Sequence, residues 1–193
     1  MNWLNHPRIR GCVRALEAGE VVAYPTEAVW GLGCDPFNDL AIQKILNLKC
    51  RPMEKGLILI AGDVKQFAFL LQNLEPSQRD NLRNSWPGHT TWLVPHHNLV
   101  SPLLCGVHAT IALRVSRHPL VQALCKLMGG PIVSTSANPQ GLPPARDGLK
   151  ARSYFGPAVV YSPAAPLIAK EPSEIKDLIT GKVIRSGETN DGR

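Results

Sequence analysis

The sequence is short of aromatic residues, which make up 6% of its 193 positions. So few rings argue against a base-stacking platform of the kind that single-stranded nucleic-acid binders use. Paired cysteines are missing too. Cys12, Cys34, Cys50, Cys105 and Cys125 are odd in number and scattered, so they offer neither a disulfide framework nor zinc-ligand spacing, and no metal site is expected. Several lie among apolar neighbours, where a thiol acts as a small hydrophobe, and a reduced compartment follows. His96-His97 falls in an irregular stretch and reads as solvated. No apolar run approaches the roughly 20 residues of a membrane helix, and the N-terminus lacks the basic and apolar regions of a signal peptide. A cytoplasmic protein without membrane contact is the expectation. Walker A and G-x-S-x-G signatures are absent as well.

What is present describes one ordinary globular domain over 1–193, 44% hydrophobic and 19% charged, with no internal repeat. The net charge of +6 is dispersed. It favours a polyanionic partner, nucleotide or nucleic acid, without choosing between them, and also fits a mildly basic surface with no specific partner.

Helical spacing predicts a helix over 7–18, with Pro7 in its first turn and Gly19 at its end. A β-branched strand, Val21 to Tyr24, follows and stops at Pro25; Gly31 and Gly33 then read as a turn, or as a close backbone approach. Asn38 or Asp39 caps a helix that delivers Lys49, Cys50 and Arg51 before Pro52. Lys55 precedes a strand, Leu57 to Ala61. Asp63 caps a helix with Val64, Phe67, Ala68 and Leu71 inward, and Pro76 to Trp86 forms another. Thr90–Val94 and Thr110–Val115 read as strands, with 95–108 irregular between them. A helix from His118-Pro119 to Gly129 leads to the short strand Ile132–Ser134. The Pro/Gly-rich loop 139–146, a helix capped by Asp147, a strand at 158–161 and a hairpin at 175–185 follow. The last residues, 188–193, read as a frayed tail. Strands and helices that do not strictly alternate predict an α/β (α+β) domain around one twisted, mixed, open sheet.

Polar clusters stand where these elements end: Thr26-Glu27, Lys49-x-Arg51 with Lys55, Thr110 with Arg114, and Ser134-Thr135-Ser136-Ala137-Asn138. The cations could hold a triphosphate, or simply stand as a solvated helix terminus that complements the dipole. The Ser/Asn cluster could bind phosphate or ribose, or make a local turn.

In order along the chain, Tyr-Pro-Thr-Glu-x-x-x-Gly-Leu-Gly, Lys-x-Arg, Lys-x-Leu-Ile-Leu-Ile, Trp-Pro-Gly-x-x-Thr, Ala-Leu-Arg-Val, Ser-Thr-Ser-Ala-Asn, Pro-Ser-Glu-Ile-Lys-Asp and Val-Ile-Arg-Ser-Gly resemble the YrdC family. The resemblance covers about 8–187 and fits the family's short bacterial form. It implies an open α/β fold with a large basic cavity and an L-threonylcarbamoyladenylate synthase. Such an enzyme joins L-threonine, bicarbonate or CO2, and ATP, and releases pyrophosphate. Its product feeds the downstream transferase proteins that modify the adenosine beside the tRNA anticodon.

The same resemblance implies residue roles. Arg51 and Lys55 would meet ATP, and Lys49 would line the same wall, with Lys49 and Arg51 as the catalytic pair. Thr110, Ser136, Asn138 and Arg185 would serve the nucleotide. Thr26, Arg114, Ser134 and Ser173 would face threonine. Mg²⁺ would arrive with the triphosphate. Ala28, Gly56 and Ile60 depart from the longer relatives, which often have Thr, Pro and His there. The competing readings are a tRNA- or double-stranded-RNA-binding module without its own adenylation activity, and a carbamoyl-transfer domain like those of hydrogenase maturation proteins.

Overall fold

The computed structural model describes residues 2–186, and the expected frayed tail, 188–193, lies outside them. Seven α-helices are described: α1 Pro7–Glu17, α2 Asp39–Lys49, α3 Ala68–Leu71, α4 Pro76–Ser85, α5 Pro102–Cys105, α6 Pro119–Met128 and α7 Gly148–Phe155. The strands are β1 Val22–Pro25, β2 Trp30–Gly33, β3 Ile58–Ala61, β4 Thr90–Pro95, β5 Thr110–Val115, β6 Ile132–Ser136, β7 Val160–Tyr161, β8 Glu174–Asp177 and β9 Val183–Arg185. They form one mixed sheet in the order β7-β1-β2-β6-β3-β5-β4-β8-β9. The mixed open sheet expected from the pattern of elements is what forms.

Helix starts follow local chemistry. Asn38, Asp63 and Asp147 accept backbone N–H bonds from Ala41, Lys65 and Lys150, as N-caps do. Other expectations need correction. Gly31 and Gly33 lie in the extended strand β2, not in a turn, and of the two readings the close backbone approach is the one that forms. The segment after Asp63 is a 3₁₀ turn, Val64–Phe67, running into α3, and Val64 is exposed while Phe67 is buried. The stretch 95–108 contains α5. His96 is buried, its ring nitrogens held by the His108 carbonyl and the Asn98 amide, so it is not solvated.

The strand alternation divides the sheet into two faces. Leu59 and Ala61, Ile111, Leu113 and Val115, Trp92 and Val94, and Val133 point into the larger core, which α2, α3, α4 and α7 cover. The opposite face carries Val22, Tyr24, Ile60 and Ile132 beneath α1 and α6. Farther along β6, and on β5, the second face changes to Ser134 and Ser136 and to Thr110 and Ala112, which line a cavity. One face therefore supplies the core and the other is divided between core and cleft.

Candidate active site

The cavity holds about 430 Å³, within the usual range for a small-molecule site. Its lining includes Arg51, Lys55, Arg114 and Arg185, and among the described residues no Asp or Glu. Four cations with no carboxylate make it a site for anions. Thr26, Thr110, Ser134, Ser136 and Ser173 add hydroxyls to the same wall.

Register separates two ends. Thr110 and Arg114 lie on one face of β5, four residues and so about 13 Å apart. Ser134 and Ala112 both pair with Ile58, while Arg114 and Ile132 both pair with Ile60. Continuing antiparallel, β6 brings Ser136 to the Thr110 end.

At that end, α2 closes with Cys50 in the left-handed region, φ 50°, and Arg51 N bonds back to the Leu46 carbonyl. This reversal, which comes before Pro52, parts two cations expected side by side. Lys49 does not line the cavity: it is buried behind the β6 terminus, its Nζ donating to the carbonyls of Ser136 and Asn138. Burial, with the Arg51 charge nearby, pushes its ammonium down to about 8. Asn138 also lies outside the lining; its side chain accepts from Ser136 Oγ at 2.6 Å and donates to the Leu142 carbonyl at 2.6 Å. Together with Lys49 it holds the strand end and the start of loop 139–146.

Arg51 does line the cavity. Its Nε and Nη2 donate to the Gly56 carbonyl at 3.1 and 2.9 Å, which fixes the turn that carries exposed Lys55. Gly56 has φ 60° and ψ 176°, a conformation reserved for glycine, and proline's fixed negative φ could not adopt it. The glycine at this position thus has a backbone reason.

At the other end, Arg114 is buried and held from three directions. Its Nε donates to the Gly88 carbonyl at 3.1 Å, and its Nη2 lies 2.9 Å from Glu27 Oε2 and 3.2 Å from His89 Nδ1. The Glu27 contact is an ion pair outside hydrogen-bond geometry. Glu27 is wholly buried, and its Oε1 accepts from Ser116 Oγ and the Arg117 amide. It does not present itself to a ligand; it neutralises Arg114. Desolvation lowers the Arg114 pKa and Glu27 opposes that, so the guanidinium stays charged.

Thr26 Oγ1 donates to the Val29 carbonyl. Thr26 and Ser134 flank Gly31, where a Cβ would stand 3.3 Å from Thr26 Cγ2 and 3.5 Å from Ser134 Oγ. Ser173 is buried against Thr91, Oγ to Oγ1 at 2.9 Å. Arg185 donates to the Ser173 carbonyl at 2.8 Å. Through Ile175 and Thr91 it shares a row of the sheet with Arg114, not with Thr110.

Cys105 and His108 line the cavity and were not singled out by sequence reasoning, whereas Thr91, the last residue of Trp-Pro-Gly-x-x-Thr, stands behind Ser173. Nothing local marks Cys105 or His108, which reach the cavity only through the path of the 95–108 connection.

The fold and the cleft define an anion-binding α/β domain. The Sua5/YciO/YrdC family model, described as Telomere recombination, matches residues 14–187, and the chain belongs to that family. It is 54% identical over 186 residues to a threonylcarbamoyl-AMP synthase of Saccharophagus degradans, covering 96% of this chain and 97% of that protein. It is 51% identical over 179 residues to one of Pseudomonas fluorescens, covering 92% and 96%. Among solved structures it resembles P. abyssi Sua5 complexed with L-threonine, with a TM-score of 0.85 and 26% identity, over 93% of this chain and 54% of that one. The chain thus spans about half the length of the Sua5 structures it matches. Escherichia coli YciO, with a TM-score of 0.81 at 24% identity over 93% of this chain and 88% of its own, shares the fold. Among the described residues no helix is long and apolar enough to cross a membrane.

Proposed function

We propose that the protein is a cytoplasmic L-threonylcarbamoyladenylate synthase. The observation that carries this reading is the electropositive cavity, whose sheet register separates Thr110 and Ser136 from Arg114; we assign the first end to the nucleotide and the second to the amino acid. The names of its relatives support it. Threonine's amine captures CO2 as a carbamate with release of a proton. A carbamate oxygen then attacks the α-phosphorus, the bond to the bridging oxygen breaks, and pyrophosphate leaves. Both reactants are anions, so catalysis consists chiefly of offsetting repulsion and holding them in line.

Arg51 and Lys55 take the phosphates, with Thr110 and Ser136 beside the nucleoside. Lys49 and Asn138 act from behind, keeping the Ser136 hydroxyl in place. Arg114 takes the threonine carboxylate, while Thr26, Ser134 and Ser173 stand around the amino acid. Arg185, in the Arg114 row, serves the reacting end where carbamate meets α-phosphate. Mg²⁺ would ride on phosphate oxygens and water, since no carboxylate lines the cavity among the described residues.

The test is pyrophosphate release from ATP that depends on both threonine and bicarbonate and needs no tRNA. Arg51→Ala should lower ATP affinity or turnover strongly, by about 2–5 kcal/mol, because a half-buried cation and the turn carrying Lys55 are lost together. Lys55→Ala, at an exposed position, should cost clearly less. Tight tRNA binding with no threonine-dependent turnover would refute the enzyme and leave the RNA module standing.

A further inference from the structure

The irregular strap 162–173 runs from β7 to β8 and brings Pro172 and Ser173 to the cavity wall. It is tied down through its own backbone. The amides of Ile168 and Ala169 donate to the Glu27 carbonyl at 2.7 and 2.8 Å, and His118 Nε2 meets the Pro166 carbonyl at 3.1 Å. Arg185 and Thr91 hold Ser173 at the cavity itself, and just before it His89 holds the strap, its Nε2 2.6 Å from the Glu171 carbonyl. The other nitrogen of that ring, Nδ1, faces Arg114 Nη2 at 3.2 Å.

These two contacts fix the ring's chemistry. A guanidinium only donates and a carbonyl only accepts, so Nδ1 must accept from Arg114 and Nε2 must carry the proton given to Glu171. One imidazole therefore joins the strap to the buried cation. Gly88 and Glu27 hold Arg114 from other directions, and Nη1 meets no hydrogen-bonding partner among the described residues. The aim of that free nitrogen depends on where Nη2 is pinned, and His89 shares that task with Glu27 Oε2, supplying the hydrogen bond beside the ion pair.

We propose that His89 is a positioning residue that couples the seat of the strap to the aim of Arg114 and so sets affinity for the carboxylate of the amino-acid substrate. This rests on the reading of Arg114 as the carboxylate ligand. His89 touches no substrate; it acts through Arg114 and through the strap segment that ends in Pro172 and Ser173.

The experiment compares His89→Phe, His89→Gln and Arg114→Ala in the full chain by threonine- and ATP-dependent pyrophosphate release, with a melting temperature for each. His89→Phe keeps a ring but loses both bonds. It should raise the threonine KM about tenfold and leave the ATP KM and kcat within about twofold. His89→Gln, with an acceptor and a donor on one amide, should recover most of the loss. If His89→Phe is not folded, His89→Ala takes its place with the same expectations. An unchanged threonine KM in the ring variant, while Arg114→Ala loses threonine affinity, overturns the coupling alone. So does an equal rise in both KM values that His89→Gln fails to repair. An Arg114→Ala enzyme with normal threonine affinity overturns the carboxylate reading and the coupling with it.

Discussion

Lys49 is an ammonium group whose hydrogen-bond partners are the oxygens of one strand end and the asparagine beyond it. Its pKa, held down at about 8 against an ordinary 10.5, has a definite sign as a stability effect. Between those values the unfolded chain keeps a proton that the folded chain has released, so the lysine's contribution to stability rises with pH across that window. Below about pH 8 the folded state bears the full cost of the buried charge. Urea midpoints for the wild type and Lys49→Met, measured from pH 7 to 10, should differ by an amount that shifts in favour of the wild type as pH rises. A pH-independent difference would mean that the amine does not titrate in this range. Sequence spacing brought Lys49 and Arg51 to one place but not to one task. Cys50 at positive φ turns the chain between them, and no propensity announces a cysteine in that conformation.

Among the elements, caps and helix periods were legible because their signals are local: Asn38, Asp63 and Asp147 each act within three residues of themselves. β2 was not legible, since a pair of glycines carries no apolar alternation and reads equally as a turn. Its reason is steric. A Cβ at Gly33 would stand 2.7 Å from the Val133 carbonyl oxygen and 2.8 Å from the Tyr24 ring. Tyr24 is fully buried and has no room to retreat. Gly33→Ala should therefore cost about 1–3 kcal/mol in chemical denaturation. Gly31→Ala, whose nearest neighbour is the Thr26 methyl at 3.3 Å, should cost less. Equal stabilities for the two variants would show that the β1–β2 pair can open to admit a methyl group. The ends of the cavity were equally hidden from sequence, because the rows linking Thr110 with Ser136 and Arg114 with Arg185 depend on register across strands distant in the chain.

For the whole molecule, the dispersed charge of +6 includes four cations gathered around one cavity. A ligand set that neutralises them binds the folded state alone and stabilises it by mass action. ATP alone at about 100 times its Kd should raise the melting temperature by about 5–10 °C, given about 2.7 kcal/mol per saturated site and 2–4 °C per kcal/mol in a domain of this size, and threonine should add to it. No shift in a calorimetric scan would argue that the cavity does not hold them. The faces of β5 carry a different consequence. Ile111, Leu113 and Val115 belong to the core, while Thr110, Ala112 and Arg114 line the cavity. Neighbouring codons thus answer to separate selective demands, one set to foldability and the other to ligand choice. Drift toward a new substrate is free to proceed along Thr110, Ala112 and Arg114 while Ile111, Leu113 and Val115 hold the architecture still.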